Sequence, residues 1–252
     1  MIEAARGPAR ADPASRLELA RGLLRRMENR SGGVRPVDPP EAPSGDGARM
    51  LPVAAPLAAL FPGGGLRRGS TVAVPHGRGA TSLLLALVAE VSAQGGWVGV
   101  VGRPDLGLVA AAEAGVRLER LALVPRPGGD LMAVAVALLD GMDVVVVAGA
   151  GRAGVHAADR RRLEARARQR GAVLVSLGPW PGADVELSCT STQWQGLGSG
   201  SGRLCARRAR VELHGRGLGP GRSARLLLPA RGGAVDGEPA VDVPAARIAV
   251  AG

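Results

Sequence analysis

Residues 63–91 read GGGLRRGSTVAVPHGRGATSLLLALVAEV, and this stretch decides the fold. A Gly-rich lead-in is followed by a short apolar run, Thr71–Val74, which reads as a strand. His76–Ala80 form a turn, and Thr81 or Ser82 caps a helix whose apolar residues are Leu83, Leu84, Leu85, Leu87, Val88 and Val91. A strand, a tight turn and a helix N-terminus place backbone N–H groups where a phosphate sits. The working phosphate-binding loop is G-x-x-x-x-G-K-[ST], with the lysine on the β/γ-phosphates and the hydroxyl on Mg²⁺. Here Gly79-Ala80-Thr81 stands where G-K-T belongs, and the chain has no lysine at all. In that register the first glycine falls at Val74; counted from Gly77, the loop is too short to wrap a triphosphate. The loop architecture is kept and its chemistry is lost. His76 and Arg78 are the candidates for phosphate contact in the lysine's place, although both suit a solvated turn. Gly77 and Gly79 serve the turn's geometry.

Downstream, strands and helices alternate. Trp97–Val101 is a buried strand, and Asp105 caps a helix that runs through Ala114 to Gly115. Leu121–Val124 is a strand, Asp130–Leu139 a helix capped by Asp130, and Asp143–Ala148 the clearest strand of the chain. His156–Arg170 is a helix ended by Gly171, and Ala172–Leu177 is a further β run. This alternation predicts an α/β fold with a mostly parallel central sheet and helices on both faces. The pattern then changes. Val185–Trp194 and Leu204–His214 read as antiparallel strands around a glycine loop, Gly196–Gly202, and Ala224–Pro229 as a last strand. Upstream, residues 13–29 form an amphipathic helix, with Leu17, Leu19, Leu23, Leu24 and Met27 opposite Arg16, Arg21, Arg25 and Arg26. The expected organisation is an N-terminal helix in 1–30, a Pro/Gly/Ser-rich linker in 31–49, an α/β core in 50–180, a β extension in 181–230 and a loosely ordered tail in 231–252.

All 32 basic residues are arginine, and the net charge is +10. Residues 147–231 hold 15 arginines against 5 acidic residues, which is the whole of that excess. Arginine binds phosphate bidentately and stacks on bases, so this half of the chain favours an anionic partner, nucleic acid first. The alternative is a composition that uses arginine on every solvated face. Arg160, Arg161, Arg162, Arg166, Arg168 and Arg170 crowd one helix, leaving Leu163 and the alanines to face the sheet. Arg203, Arg207, Arg208, Arg210 and Arg216 flank the glycine loop, with Trp194 the only aromatic nearby. So few stacking platforms argue against strong single-strand binding and leave weak backbone contact open. Two cysteines sixteen residues apart, Cys189 and Cys205, with no CxxC, suit a reduced compartment and no metal site. His156 and His214 have no ligand spacing. The N-terminus has no hydrophobic leader segment and no apolar run reaches membrane-spanning length, so the expected location is the cytoplasm, away from membranes.

The order of these elements resembles the RecA-like fold, and within it the actinobacterial ImuA-type branch. Leu60–Val74 is similar to the segment that precedes the loop in RecA-like proteins. Glu113–Pro127 resembles the stretch after the second core strand, Gly141–Gly151 sits where the Walker B strand belongs, and Trp194–Gly217 resembles that branch's C-terminal β part. The resemblance covers roughly residues 50–230. Its departures carry as much weight. A Walker B strand ends in an Asp, and here it ends in Ala148; a catalytic Glu follows the second strand, and here the residues are Gly102-Arg103-Pro104-Asp105. With lysine, Asp and Glu all missing, phosphate neutralisation, metal positioning and water activation go together. The expectation is therefore a pseudo-ATPase with no cofactor and no catalytic residue. The resemblance implies a role in the SOS response to DNA damage: an accessory protein of error-prone translesion synthesis that contacts ImuB (a Y-family-like polymerase homologue), a DnaE-type error-prone polymerase and RecA. Two alternatives stand beside it: a RecA-like ATPase that uses Arg78, and a SulA-type inhibitor of cell division.

Overall fold

The computed structural model describes residues 50–149, 155–198, 201–216, 218 and 221–238, all in one compact unit. The helix expected at 13–29, the linker at 31–49 and the tail beyond 238 lie outside the described residues.

In chain order the elements are β1 (Met50–Pro52), α1 (Ala55–Ala58), β2 (Gly65–Arg67), β3 (Thr71–Val74), α2 (Ala80–Ala93), β4 (Val98–Val101), α3 (Leu108–Glu113), β5 (Leu121–Val124), α4 (Leu131–Leu139), β6 (Val144–Ala148), α5 (Ala157–Arg170), β7 (Val173–Leu177), β8 (Val185–Gly198), β9 (Ser201–Gly215), β10 (Arg222–Leu227) and β11 (Asp236–Gly237). β1 and β2 form a small antiparallel pair. The remaining strands make one sheet in the order β11-β10-β9-β8-β3-β7-β6-β4-β5. From β5 to β8 every neighbouring pair is parallel; β9, β10 and β11 then follow antiparallel. The architecture is thus α/β, with a mixed, largely parallel sheet flanked by helices and antiparallel strands at its C-terminal end.

The burial pattern explains the topology. In β6, Val144 and Val146 enter the core shared with α2, whereas Val145 and Val147 enter the one built by α4 and α5. A strand covered on both faces reads as an unbroken apolar run, as DVVVVA does. The highly polar α5 touches the sheet through Leu163 and Ala167, as its sequence requires. β8 to β10 contribute Leu187, Val211, Leu213 and Leu226 to the α2 side only.

Several local expectations are corrected. The N-cap of α2 is Gly79, at φ 98°, and neither Thr81 nor Ser82 caps it. Asp105 caps nothing: α3 begins at Leu108 after Gly107, and Asp105 pairs with Arg103 instead. Asp130 holds the N-cap position of α4 but makes no side-chain cap bond. The expected glycine loop Gly196–Gly202 is mostly strand, because the β8–β9 pairing continues to Gly198 and Ser201. Within 231–252, Asp236–Gly237 pairs with β10 rather than belonging to a tail.

Candidate functional site

The turn Pro75–Gly79 joins the central strand β3 to α2, at the carboxyl end of the parallel sheet. His76, Gly77 and Arg78 are exposed, and Ala80 is buried at the first turn of α2. Gly79 takes the left-handed conformation that lets the chain enter the helix tightly, a conformation open to glycine at little cost. No side chain caps the helix, so its leading N–H groups keep the partial positive charge of a helix N-terminus.

Two loops set what that charge meets. From the end of β4, Arg103 donates from its Nη2 to Thr81 Oγ1 at 3.2 Å, and its Nε lies 3.0 Å from Asp105 Oδ1. Thr81 is the residue in the register of the metal-binding hydroxyl, and its neighbour is a guanidinium. Two cations a few ångströms apart repel, so a divalent ion on Thr81 requires Arg103 to leave. The strand ends beside it are close together: a Cβ on Gly102 would run into the carbonyl oxygen of Ala148. Ala148 is itself buried, at the end of β6. At the described end of β4, Arg103 thus meets Thr81 and is paired with the carboxylate of Asp105. Among the described residues no group of three His, Cys, Asp or Glu side chains is placed to bind a metal ion.

On the other side of Gly79 lies Arg207, which the sequence predicts on a nucleic-acid or acidic-partner surface. The structure corrects this: Arg207 is 7 % exposed. In β9 the residues Ala209, Val211 and Leu213 alternate inward, and Arg207 continues that row. Its Nε donates to the Leu228 carbonyl at 2.7 Å and its guanidinium lies 5.2 Å from the Trp194 ring centre, while its Nη2 is buried without an acceptor. A Cβ on Gly79 would meet that Nη2 at 3.2 Å and Cys189 Sγ at 3.0 Å, so the loop and β8–β9 pack closely because residue 79 is glycine. Burial lowers the pKa of Arg207 and raises that of Cys189, and in each case the other group partly opposes the shift.

The remaining arginines separate into paired and free. On α5, Arg166 and Arg170 hold Asp140, Arg168 holds Glu164, and Arg160 donates to the Val155 carbonyl. In the β extension Arg208 pairs with Glu238 and Arg210 with Glu212. Among the described residues Arg161, Arg162, Arg203 and Arg216 form no ion pair, and they do not make one patch: the first two stand on α5, Arg203 near the hairpin tip, and Arg216 at the hairpin base. Arg216 borders a cleft of about 620 Å³ with Pro75, Trp180, Glu186 and His214. Arg103 carries only a positional signal in the sequence, as the first charged residue after the second parallel strand.

The family described as the MT3502 N-terminal domain matches residues 59–182. The match runs from the end of the segment before β2 to just short of β8, which begins at Val185. The uncharacterized protein Rv3395c of Mycobacterium tuberculosis is 50% identical to this chain over 111 residues, covering 44% of this chain and 54% of that protein. The chain thus matches about half the length of that curated relative. No helix among the described residues is long and apolar enough to cross a membrane.

Proposed function

We propose that this chain is a non-catalytic RecA-like protein that works by binding, as an accessory or scaffold in error-prone translesion synthesis during the DNA-damage response. The observation that carries the reading is the Arg103–Thr81 contact. A guanidinium sits on the one hydroxyl in the metal register, beside a helix whose lysine position is Ala80 and a strand that ends in Ala148. Such a site keeps the shape of a nucleotide-binding core without its charges. The loop-bearing strand inside the parallel sheet, with the next strand reached across β7 and β6, supports the RecA-like reading. The partners, ImuB, a DnaE-type polymerase and RecA, come from the resemblance of the sequence. The scattered and largely paired arginines favour protein contacts over DNA, with DNA contact limited to the backbone.

The test is calorimetry with Mg²⁺–ATP at several hundred micromolar, followed by co-purification with co-expressed ImuB and the error-prone polymerase. The expected result is no heat, no thermal stabilisation and a stable complex with ImuB. Saturable ATP binding abolished by Arg78→Ala overturns the non-catalytic reading in favour of an ATPase. Failure to join any of these proteins removes the translesion role.

A further inference from the structure

β8 is a long strand with a short neighbour. On its β3 side only Val185 and Glu186 are paired, with Val72 and Ala73. The strand nonetheless runs on to Gly198, held only through its other edge by β9. At Cys189 the side chain of β8 packs against Gly79. Past it, between the register shifts at Thr190 and Gly196, no strand and no loop backbone among the described residues pairs with the outer edge. Natural sheets protect such edges with charge, proline or brevity. From Leu187 to Leu197 there is no charged residue and no proline, and the irregularities fall at the ends of the regular stretch rather than within it.

The side chains beside this edge point to an occupant. Trp194 is 48% exposed, and Leu197 and Leu204 are 65% and 45% exposed. Trp194 is stacked on the buried Arg207, which fixes the ring as a rigid platform. Tryptophan anchors of this kind dominate binding energy where partners meet. From Leu187 to Ala209 the chain carries no acidic residue; Arg207 is buried and Arg208 is paired with Glu238, which leaves Arg203 as the unpaired charge beside the hairpin tip. Two copies of this hairpin set edge to edge would offer each other Arg203 and no acidic residue, so self-pairing lacks a complementary charge.

We infer that the open edge of β8, from Thr190 to Gly196, accepts an extended acidic segment of a partner protein as an added strand, with Trp194 as its side-chain anchor. Main-chain hydrogen bonds give such a mode its affinity, and alternate side chains give its specificity. The inference goes beyond the scaffold reading and does not depend on it.

Fluorescence anisotropy with the full chain tests it, using a short labelled peptide of alternating valine and glutamate. Three comparison probes are its valine–lysine counterpart, a copy N-methylated on alternate amides, and single-stranded oligo-dT. Saturable binding of the valine–glutamate peptide is expected. The lysine peptide should fail, the N-methylated copy should bind at least about tenfold more weakly, and Trp194→Ala should cost about tenfold. Gln195→Glu, a surface change that spares the fold, should weaken binding by charge alone. Equal binding of the N-methylated copy overturns strand addition. Displacement of the peptide by oligo-dT at equal affinity assigns the edge to nucleic acid instead. Absence of peptide binding, or a dimer in sedimentation that Gln195→Glu strengthens, also sinks the proposal.

Discussion

The parallel half of the sheet, from β5 to β3, and the antiparallel half, from β8 to β11, are built from one continuous set of ladders yet are stabilised in different ways. The central strands β3, β4, β6 and β7 are covered on both faces, and every residue of all four is buried. The antiparallel strands are covered on one face, and β9 alternates inward and outward from Arg207 to His214. The difference shows where each half is free to change. A parallel strand sandwiched between helices leaves its chemistry only at its carboxyl end, in the loops, and here those loops hold Arg103 over Thr81. An antiparallel hairpin covered on one side leaves a face and an edge to solvent, and here they carry Trp194 and the free edge of β8. The family match at 59–182 covers the first half and stops short of the second.

The most direct way to break this contrast is to truncate one leucine in each half. Leu174 in β7 is fully buried in the core formed with α4 and α5, and Leu197 is 65% exposed on the hairpin. Leu174→Ala is expected to cost about 2–5 kcal/mol, as large-to-small changes at closed sites do. Leu197→Ala should stay within about 0.5 kcal/mol. Urea unfolding of both variants checks the pair, and similar losses would mean that the hairpin is as deeply covered as the core. Arg207 comes next, because it joins the two halves beneath Gly79. Arg207→Ala leaves the Leu228 carbonyl without its donor and should cost about 1–3 kcal/mol. Arg207→Met fills the same space, removes a buried charge whose Nη2 has no acceptor, and should cost clearly less. If Met is as damaging as Ala, the charge itself is structural.

The same contrast governs what could be read from the sequence. The parallel half was legible because burial on both faces writes itself as unbroken apolar runs, and Val144–Ala148 or Val173–Leu177 have no other plausible use. The hairpin was legible as two strands but not in extent. Gly196, Gly198, Gly200 and Gly202 look like loop residues, while cross-strand pairing holds the backbone extended to Gly198 and Ser201. The charge of Arg207 points it to the surface, but its parity points it inward: it stands two residues before Ala209 in a row that goes on to Val211 and Leu213. The Arg103–Thr81 contact had no local signal. Thr81 stands in the first turn of α2 and Arg103 just after β4, and only the fold brings the two together.

A smaller effect separates Cys189, at the seam of the halves, from an ordinary thiol. Burial raises its pKa, and the Arg207 charge only partly opposes this. The thiolate is the reactive form, so in a Cys205→Ser background the native protein should be alkylated near neutral pH about tenfold more slowly than the urea-unfolded chain. The native rate should climb at higher pH than that of the unfolded chain. The stability linkage has the matching sign: the unfolded chain loses this proton first, so the contribution of Cys189 is intact at neutral pH and is lost as pH rises through the folded value. A native rate equal to the unfolded one would show that the seam opens readily and that the two halves are less firmly joined than Gly79, Cys189 and Arg207 suggest.

The smallest effect belongs to the solvated outer layer of the parallel half. Asp140, at the end of α4, accepts from Arg166 and Arg170 of α5, and the Arg166 hydrogen bond is the main reason its carboxyl lies below the ordinary 3.8. A depressed carboxylate stabilises the fold above its unfolded pKa and loses that contribution as pH falls through the folded one. Asp140→Asn should therefore lower stability slightly at neutral pH, and the two proteins should converge on acidification below the ordinary carboxylate range. The pair is exposed, so added salt should shrink the neutral-pH difference as well. If the difference survives both acid and salt, Asp140 acts by packing α4 against α5 and not by charge. The arginines of α5 would then be released from the intramolecular duty that now counts against their being a surface for DNA.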